Sequence, residues 1–115
     1  MKKINTLKNS EEFTRIIKKN NPYKYKDYII YIERTDNYTY KFGISVGKKL
    51  GNAVCRNKIK RQIRNIIDKK DYQKGFNCII IVGRGTLNRN FSEKEKLLIE
   101  AFKNINIIKE KENEK

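Results

Sequence analysis

Ala53-Val54-Cys55-Arg56-Asn57-Lys58-Ile59-Lys60-Arg61-Gln62-Ile63-Arg64-Asn65-Ile66-Ile67 and, shortly after it, Phe76-Asn77-Cys78-Ile79-Ile80-Ile81-Val82 decide the architecture of this chain. The first segment repeats its apolar residues at helical intervals. At about 100° per residue, Cys55, Ile59, Ile63, Ile66 and Ile67 gather on one side, so residues 53 to about 70 read as a helix with a core-facing stripe. The second segment is an apolar run of strand length, polar only at Asn77, the pattern of a central strand covered on both faces. Gly83-Arg84-Gly85 ends it.

Upstream, Asn9-Ser10-Glu11-Glu12 supplies a capping residue and acids for the first turn of a helix. Phe13, Ile16 and Ile17 form its apolar stripe, and Asn20-Asn21-Pro22 stops it because the residue before a proline leaves the helical region. From Tyr23 the composition turns aromatic and β-branched. Residues 28–32 read as one strand, Asp36-Asn37 as a turn, and residues 38–46 as the partner strand of a hairpin. Tyr40, Phe42, Ile44 and Val46 share one face of that second strand, with Lys41, Gly43 and Ser45 on the other. Gly47 and Gly51 bracket a Lys48-Lys49-Leu50 loop. Downstream, Ser92-x-x-Glu95 reads as a capping box opening a last helix, with Leu98, Phe102 and Ile105 at helical spacing. Beyond about Ile108 the chain is charged and expected to fray. The order is helix, two or three strands, helix, strand, helix: α-β-β-(β)-α-β-α, one α+β sandwich domain over residues 1–115 with helices packed on a sheet.

Composition narrows the partners. The 115 residues carry 28 Lys+Arg against 13 Asp+Glu, a net charge of +15, with no histidine. A compact domain with that imbalance repels itself and calls for a polyanion. No run approaches the roughly 18 apolar residues of a spanning helix, and the N-terminus lacks a signal-peptide apolar stretch, so the expected compartment is the cytoplasm. Cys55 and Cys78 form no CxxC pattern and read as small buried thiols. Without histidine, triads and imidazole bases are excluded, and no tight carboxylate cluster sits beside the cations. Glu93, Glu95 and Glu100 alternate with lysines as a solvated helix face does. The pattern is that of a binder rather than a catalyst.

Between Lys48 and Arg64 stand seven basic residues (Lys48, Lys49, Arg56, Lys58, Lys60, Arg61 and Arg64) and no acid. On the helical wheel Asn57, Lys60, Arg61 and Arg64 lie opposite the isoleucines. Guanidinium groups grip phosphate oxygens bidentately, and an asparagine amide reads a 2′-hydroxyl or a base edge. A merely solvated helix tends to carry acids at i,i+4 to its cations; none interleaves with these as far as Arg64.

Residues 51–64 resemble the G-x-A-V-x-R-N-R-x-K-R-x-x-R signature of the bacterial ribonuclease P protein family. Residues 43–50, the Leu7-Lys8-x4-Phe13-x3-Ile17 spacing and the Phe76 to Val82 run are also similar, in order, to that family's strand and loop, first helix and last strand. Lys58 departs from the signature by keeping the charge of the second arginine without its fork; Asn20 and Gly47 stand where many members have glycine and serine. The resemblance implies a left-handed β-α-β crossover, a break with the usual handedness. It implies a protein cofactor of an RNA enzyme that removes the 5′ leader of precursor tRNA, with Asn57, Arg61 and Arg64 contacting the catalytic RNA. Lys48, Lys49, Arg56, Lys58 and Lys60 support them electrostatically, and Phe13, Ile17 and Tyr31 line a cleft for the leader. It further implies that the RNA, with Mg²⁺, does the chemistry, that the protein alone binds no cofactor, and that neither DNA nor membrane is a partner. A ribosomal-type or general RNA-chaperone protein is the alternative. A DNA-binding helix-turn-helix module and a stand-alone nuclease rank below it.

Overall fold

A computed structural model describes residues 5–109. Its elements run α1 (Ser10–Lys19), β1 (Tyr23–Tyr25), β2 (Tyr28–Arg34), β3 (Tyr40–Val46), α2 (Ala53–Ile67), β4 (Phe76–Val82) and α3 (Phe91–Asn104), with short 3₁₀ turns at Lys48–Leu50 and Arg84–Asn88. Each helix opens on an asparagine whose side chain accepts a backbone N–H: Asn9 from Glu11, Asn52 from Cys55 and Asn90 from Glu93. Such a cap stabilises a helix start by about 1 kcal/mol. The last helix begins two residues before the expected Ser92 box. The reciprocal pair is Asn90 with Glu93, whose carboxylate accepts the Asn90 N–H, while Glu95 pairs with Lys69.

The sheet order is β1-β2-β4-β3. β4 takes the centre, antiparallel to β2 and parallel to β3, as its two-sided apolar sequence requires. The expected hairpin between the second and third strands is therefore absent, since β4 lies between them. Residues 35–39 bridge across the head of β4, where Thr35 N–H donates to Gly75 O and Gly75 N–H donates to Thr39 O. Gly75 has φ +82, and a Cβ there would come within 2.8 Å of the Thr35 carbonyl oxygen, so glycine is the residue that lets the bridge sit so close. The true hairpin is one strand earlier, β1 with β2, turning at Lys26 (φ 53) and Asp27. Tyr38, expected in β3, lies outside it in that bridge and is 86% exposed.

The two faces of the sheet are packed unequally. On one, Tyr28, Ile30, Phe42, Val46, Phe76, Cys78, Ile80 and Val82 meet Ile59, Ile63, Ile66 and Ile67 of α2 and Leu98, Ala101 and Phe102 of α3. On the other, Ile79 joins Leu7 and Ile16, with Phe13, Ile17, Tyr31 and Ile81 packed around them half-buried. Of the two cysteines only Cys78 is buried; Cys55 is exposed at the first turn of α2, at the edge of the isoleucine stripe rather than under it. Ile108 pairs with Tyr72 and is buried, and Lys109 N–H donates to Asp71 O. The rest of the expected tail, residues 110–115, lies outside the described residues.

Candidate nucleic-acid interface

α2 carries its four buried isoleucines on one side and Asn57, Lys58, Arg61 and Arg64 exposed on the others. Arg56 and Lys60 lie half-buried on one flank, between the ridge and the core. Among the described residues none of these cations makes an ion pair or a side-chain hydrogen bond, and the helix has no acid in its first turn. The Arg56 Nε is buried without a hydrogen-bond partner. Lys48 and Lys49 are exposed on a 3₁₀ turn held down by buried Leu50, just before the helix start. Gly51 (φ +130) makes the join, where a Cβ would press on Cys55. The result is a run of uncompensated cations that begins at the positive end of the helix dipole and continues along its outer side.

On the opposite side of the sheet α1 lies across β2 and β4. Ile16 is fully buried, whereas Phe13 and Ile17, one turn apart, are half-buried beside Tyr31. The Phe13 ring sits directly over Gly43, where any side chain would overlap it. The three expected cleft residues thus share one apolar cluster, floored by Ile79 and Ile81. A polar tie that the sequence reading missed closes its end: both Arg15 η-nitrogens donate to the Glu33 carboxylate, as does Asn77 Nδ2 at 2.9 Å. The hydrogen bond from Arg15 is the main reason that the Glu33 carboxyl titrates below the usual carboxylate range, against partial desolvation. The one acid within the apolar run of β2 was the available signal.

A second omission lies between α2 and α3. Lys94, read as part of a solvated face, is only 8% exposed and donates to the Gln62 amide oxygen. Glu100 is likewise engaged, accepting the Tyr25 hydroxyl. Among the described residues no three His, Cys, Asp or Glu side chains gather as a metal site, and no helix is long and apolar enough to cross a membrane.

A family model described as Ribonuclease P matches residues 1–106. The chain belongs to the ribonuclease P protein family. The ribonuclease P protein component of Mycoplasma capricolum subsp. capricolum is 39% identical over 108 residues, covering 91% of this chain and 99% of that one. That of Listeria monocytogenes serotype 4a is 33% identical over 116 residues, covering 98% of each. Among solved structures, the Staphylococcus aureus RNase P protein superposes with a TM-score of 0.82 at 29% identity, covering 91% of this chain and 98% of that one. The RNase P protein from Thermotoga maritima, at 24% identity and TM-score 0.77, shares the fold over 86% of this chain and 96% of its own. Membership of the ribonuclease P protein family assigns the chain a part in ribonuclease P and in tRNA processing.

Proposed function

We propose that the chain binds the catalytic RNA of ribonuclease P along α2 and holds the single-stranded 5′ leader of precursor tRNA in the groove between α1 and the sheet. The observation that carries this reading is the unpaired outer side of α2. A cation ridge with no internal carboxylate partners is a cost in a protein alone and a binding surface in front of phosphates. Asn57, Arg61 and Arg64 make the RNA contacts; Lys48, Lys49, Lys58, Lys60 and Arg56 raise the local potential. Phe13, Ile17 and Tyr31 offer apolar and aromatic surface to leader bases, and because every base has a face to stack, many leader sequences are accepted. The protein's contribution is to bind and position. Phosphodiester hydrolysis belongs to the RNA, whose Mg²⁺ ions supply the Lewis-acid chemistry, and the working compartment is the cytoplasm.

The test is reconstitution at low Mg²⁺: purified chain, catalytic RNA and precursor tRNA, with leader removal measured. The wild-type chain accelerates cleavage. Arg61→Ala and Arg64→Ala each weaken catalytic-RNA binding by roughly 10- to 100-fold, as loss of a charge-assisted contact predicts. Each also lowers the slope of log K against log salt by about 0.7–0.9, with the thermal midpoint unchanged. Equal affinity in both variants would falsify the assignment. A general RNA chaperone, by contrast, binds unrelated RNA as tightly and leaves leader removal unaltered.

A further inference from the structure

Beside the α2 ridge lies a cavity of about 290 Å³, lined by Cys55, Lys58, Ile59 and Gln62 from α2 and by Leu87, Phe91 and Lys94 among residues on and before α3. Apolar surface from Ile59, Leu87 and Phe91 alternates with the polar groups of Lys58, Gln62, Asn90 and Lys94, and Leu87 is 48% exposed at the rim. Its lining holds cations and amides but no carboxylate. Lys94 is buried in its stem; among the described residues its only side-chain hydrogen bond goes to the neutral Gln62 amide, and no carboxylate pairs with it. Burial, reinforced by the neighbouring Lys58 charge, pulls the Lys94 ammonium below its ordinary range. Arg89, also in the lining, is already engaged by Asp27. A partly desolvated ammonium with a single neutral side-chain partner gains when an anionic acceptor arrives from outside. Just below the roughly 300–1,000 Å³ of small-molecule sites, the space suits one base-sized group rather than a length of strand.

We infer that this cavity receives a single unpaired nucleotide of the RNA seated on α2, its base against Leu87 and Phe91 and its phosphate on Lys94 and Lys58. The inference rests on the proposed binding of catalytic RNA by α2 and adds to it a second, shape-selective contact. Continuity supports it: Val54, 78% exposed, and Lys58 stand one turn apart on the flank of α2 that joins the cavity to the arginine ridge. Charge complementarity supplies the rest, because a phosphate there meets two cations and no acid. An RNA held by the ridge therefore has a cationic path to an apolar notch.

The experiment is ultraviolet crosslinking of the full chain to full-length catalytic RNA, with adducts located by mass spectrometry. Cys55 and Phe91 are the photoreactive side chains of the lining. A mononucleotide adduct on either is expected, falling roughly tenfold in Lys94→Met and in Leu87→Ser, the latter at a half-exposed position outside the core. RNA that binds with unchanged affinity yet leaves adducts only on the Asn57–Arg64 side overturns the cavity assignment alone. RNA that does not bind overturns the proposed function as well. A free mononucleotide carries the same chemistry: if photoactivated 5′-AMP labels the cavity while bound RNA does not, the RNA origin is wrong.

Discussion

The two faces of the sheet are made from the same four strands and do different work. On the face under α2 and α3, Phe42 is fully buried within 4.9–5.7 Å, ring centre to ring centre, of Tyr40, Tyr72, Phe76 and Phe102. Aromatic burial of this density is where a small domain finds its stability. On the face under α1 the buried set is Leu7, Ile16 and Ile79, and Phe13, Ile17, Tyr31 and Ile81 remain partly open. One helix cannot cover four strands, and what it leaves uncovered is apolar and aromatic. A chain selected for stability alone would fill that face. In the proposed function the open face is the receptor and the closed one its support.

The comparison breaks most visibly at Phe42. Phe42→Ala removes a fully buried ring from the closed face and should cost about 3–5 kcal/mol, read as a lower urea midpoint with an unchanged denaturant slope. In a domain whose total stability is of order 5–15 kcal/mol, such a variant is close to unfolding. A loss no greater than that of an open-face substitution would erase the division of labour.

Tyr31→Ala tests the open face. Here the expected loss is in binding: stacking is worth about 1–3 kcal/mol per base, so holoenzyme affinity for precursor tRNA should fall by roughly tenfold, while affinity for mature tRNA is unchanged. Stability should fall by much less than in Phe42→Ala, since Tyr31 is half-buried already. Equal losses for precursor and mature tRNA would remove the leader from the groove.

Much of this division was legible in the sequence, for reasons that differ by residue. Ile59, Ile63, Ile66 and Ile67 announce the buried side of α2 because a helix repeats every 3.6 residues, and the same wheel puts Asn57, Arg61 and Arg64 outside. The Phe76 to Val82 run announces a central strand because only two covered faces accept six apolar residues out of seven. Pairing was not legible. Period-two alternation in β2 and β3 says which side chains share a face but not which strand lies between, and the link through residues 35–39 lacks the Asn-Gly or Asp-Gly signal of a tight hairpin. Gly75, which the bridge requires, stands far away in sequence. Lys94 was misread for a related reason. Flanked by Glu93 and Glu95 it looks solvated, and only the approach of α2 carries it to Gln62. Cys55 erred the other way: it falls within the wheel's apolar arc, but the first turn of α2 overhangs the core.

The smallest effect expected is also the one that separates the two faces by pH. The closed face is held chiefly by rings, which do not titrate in acid, with the Lys69–Glu95 and Tyr25–Glu100 contacts at its margin, whereas α1 is tied to the sheet by the Arg15–Glu33–Asn77 cluster. Glu33 titrates lower in the folded protein than in the unfolded chain, chiefly through the hydrogen bond from Arg15, then that from Asn77. Its ionised form therefore favours folding above the unfolded value of about 4.3, and that contribution is lost as pH falls from there through the depressed folded value. Glu33→Gln removes it at every pH. Urea midpoints of the two proteins should accordingly differ at pH 7 and converge as the pH drops below about 4. The gap should be modest, because the Arg15 side chain is 40% exposed and water screens such a pair. A gap that stays constant into acid would mean that the tie acts through shape rather than charge, and α1 would then be set on the open face by Ile16 and the Phe13–Gly43 contact alone.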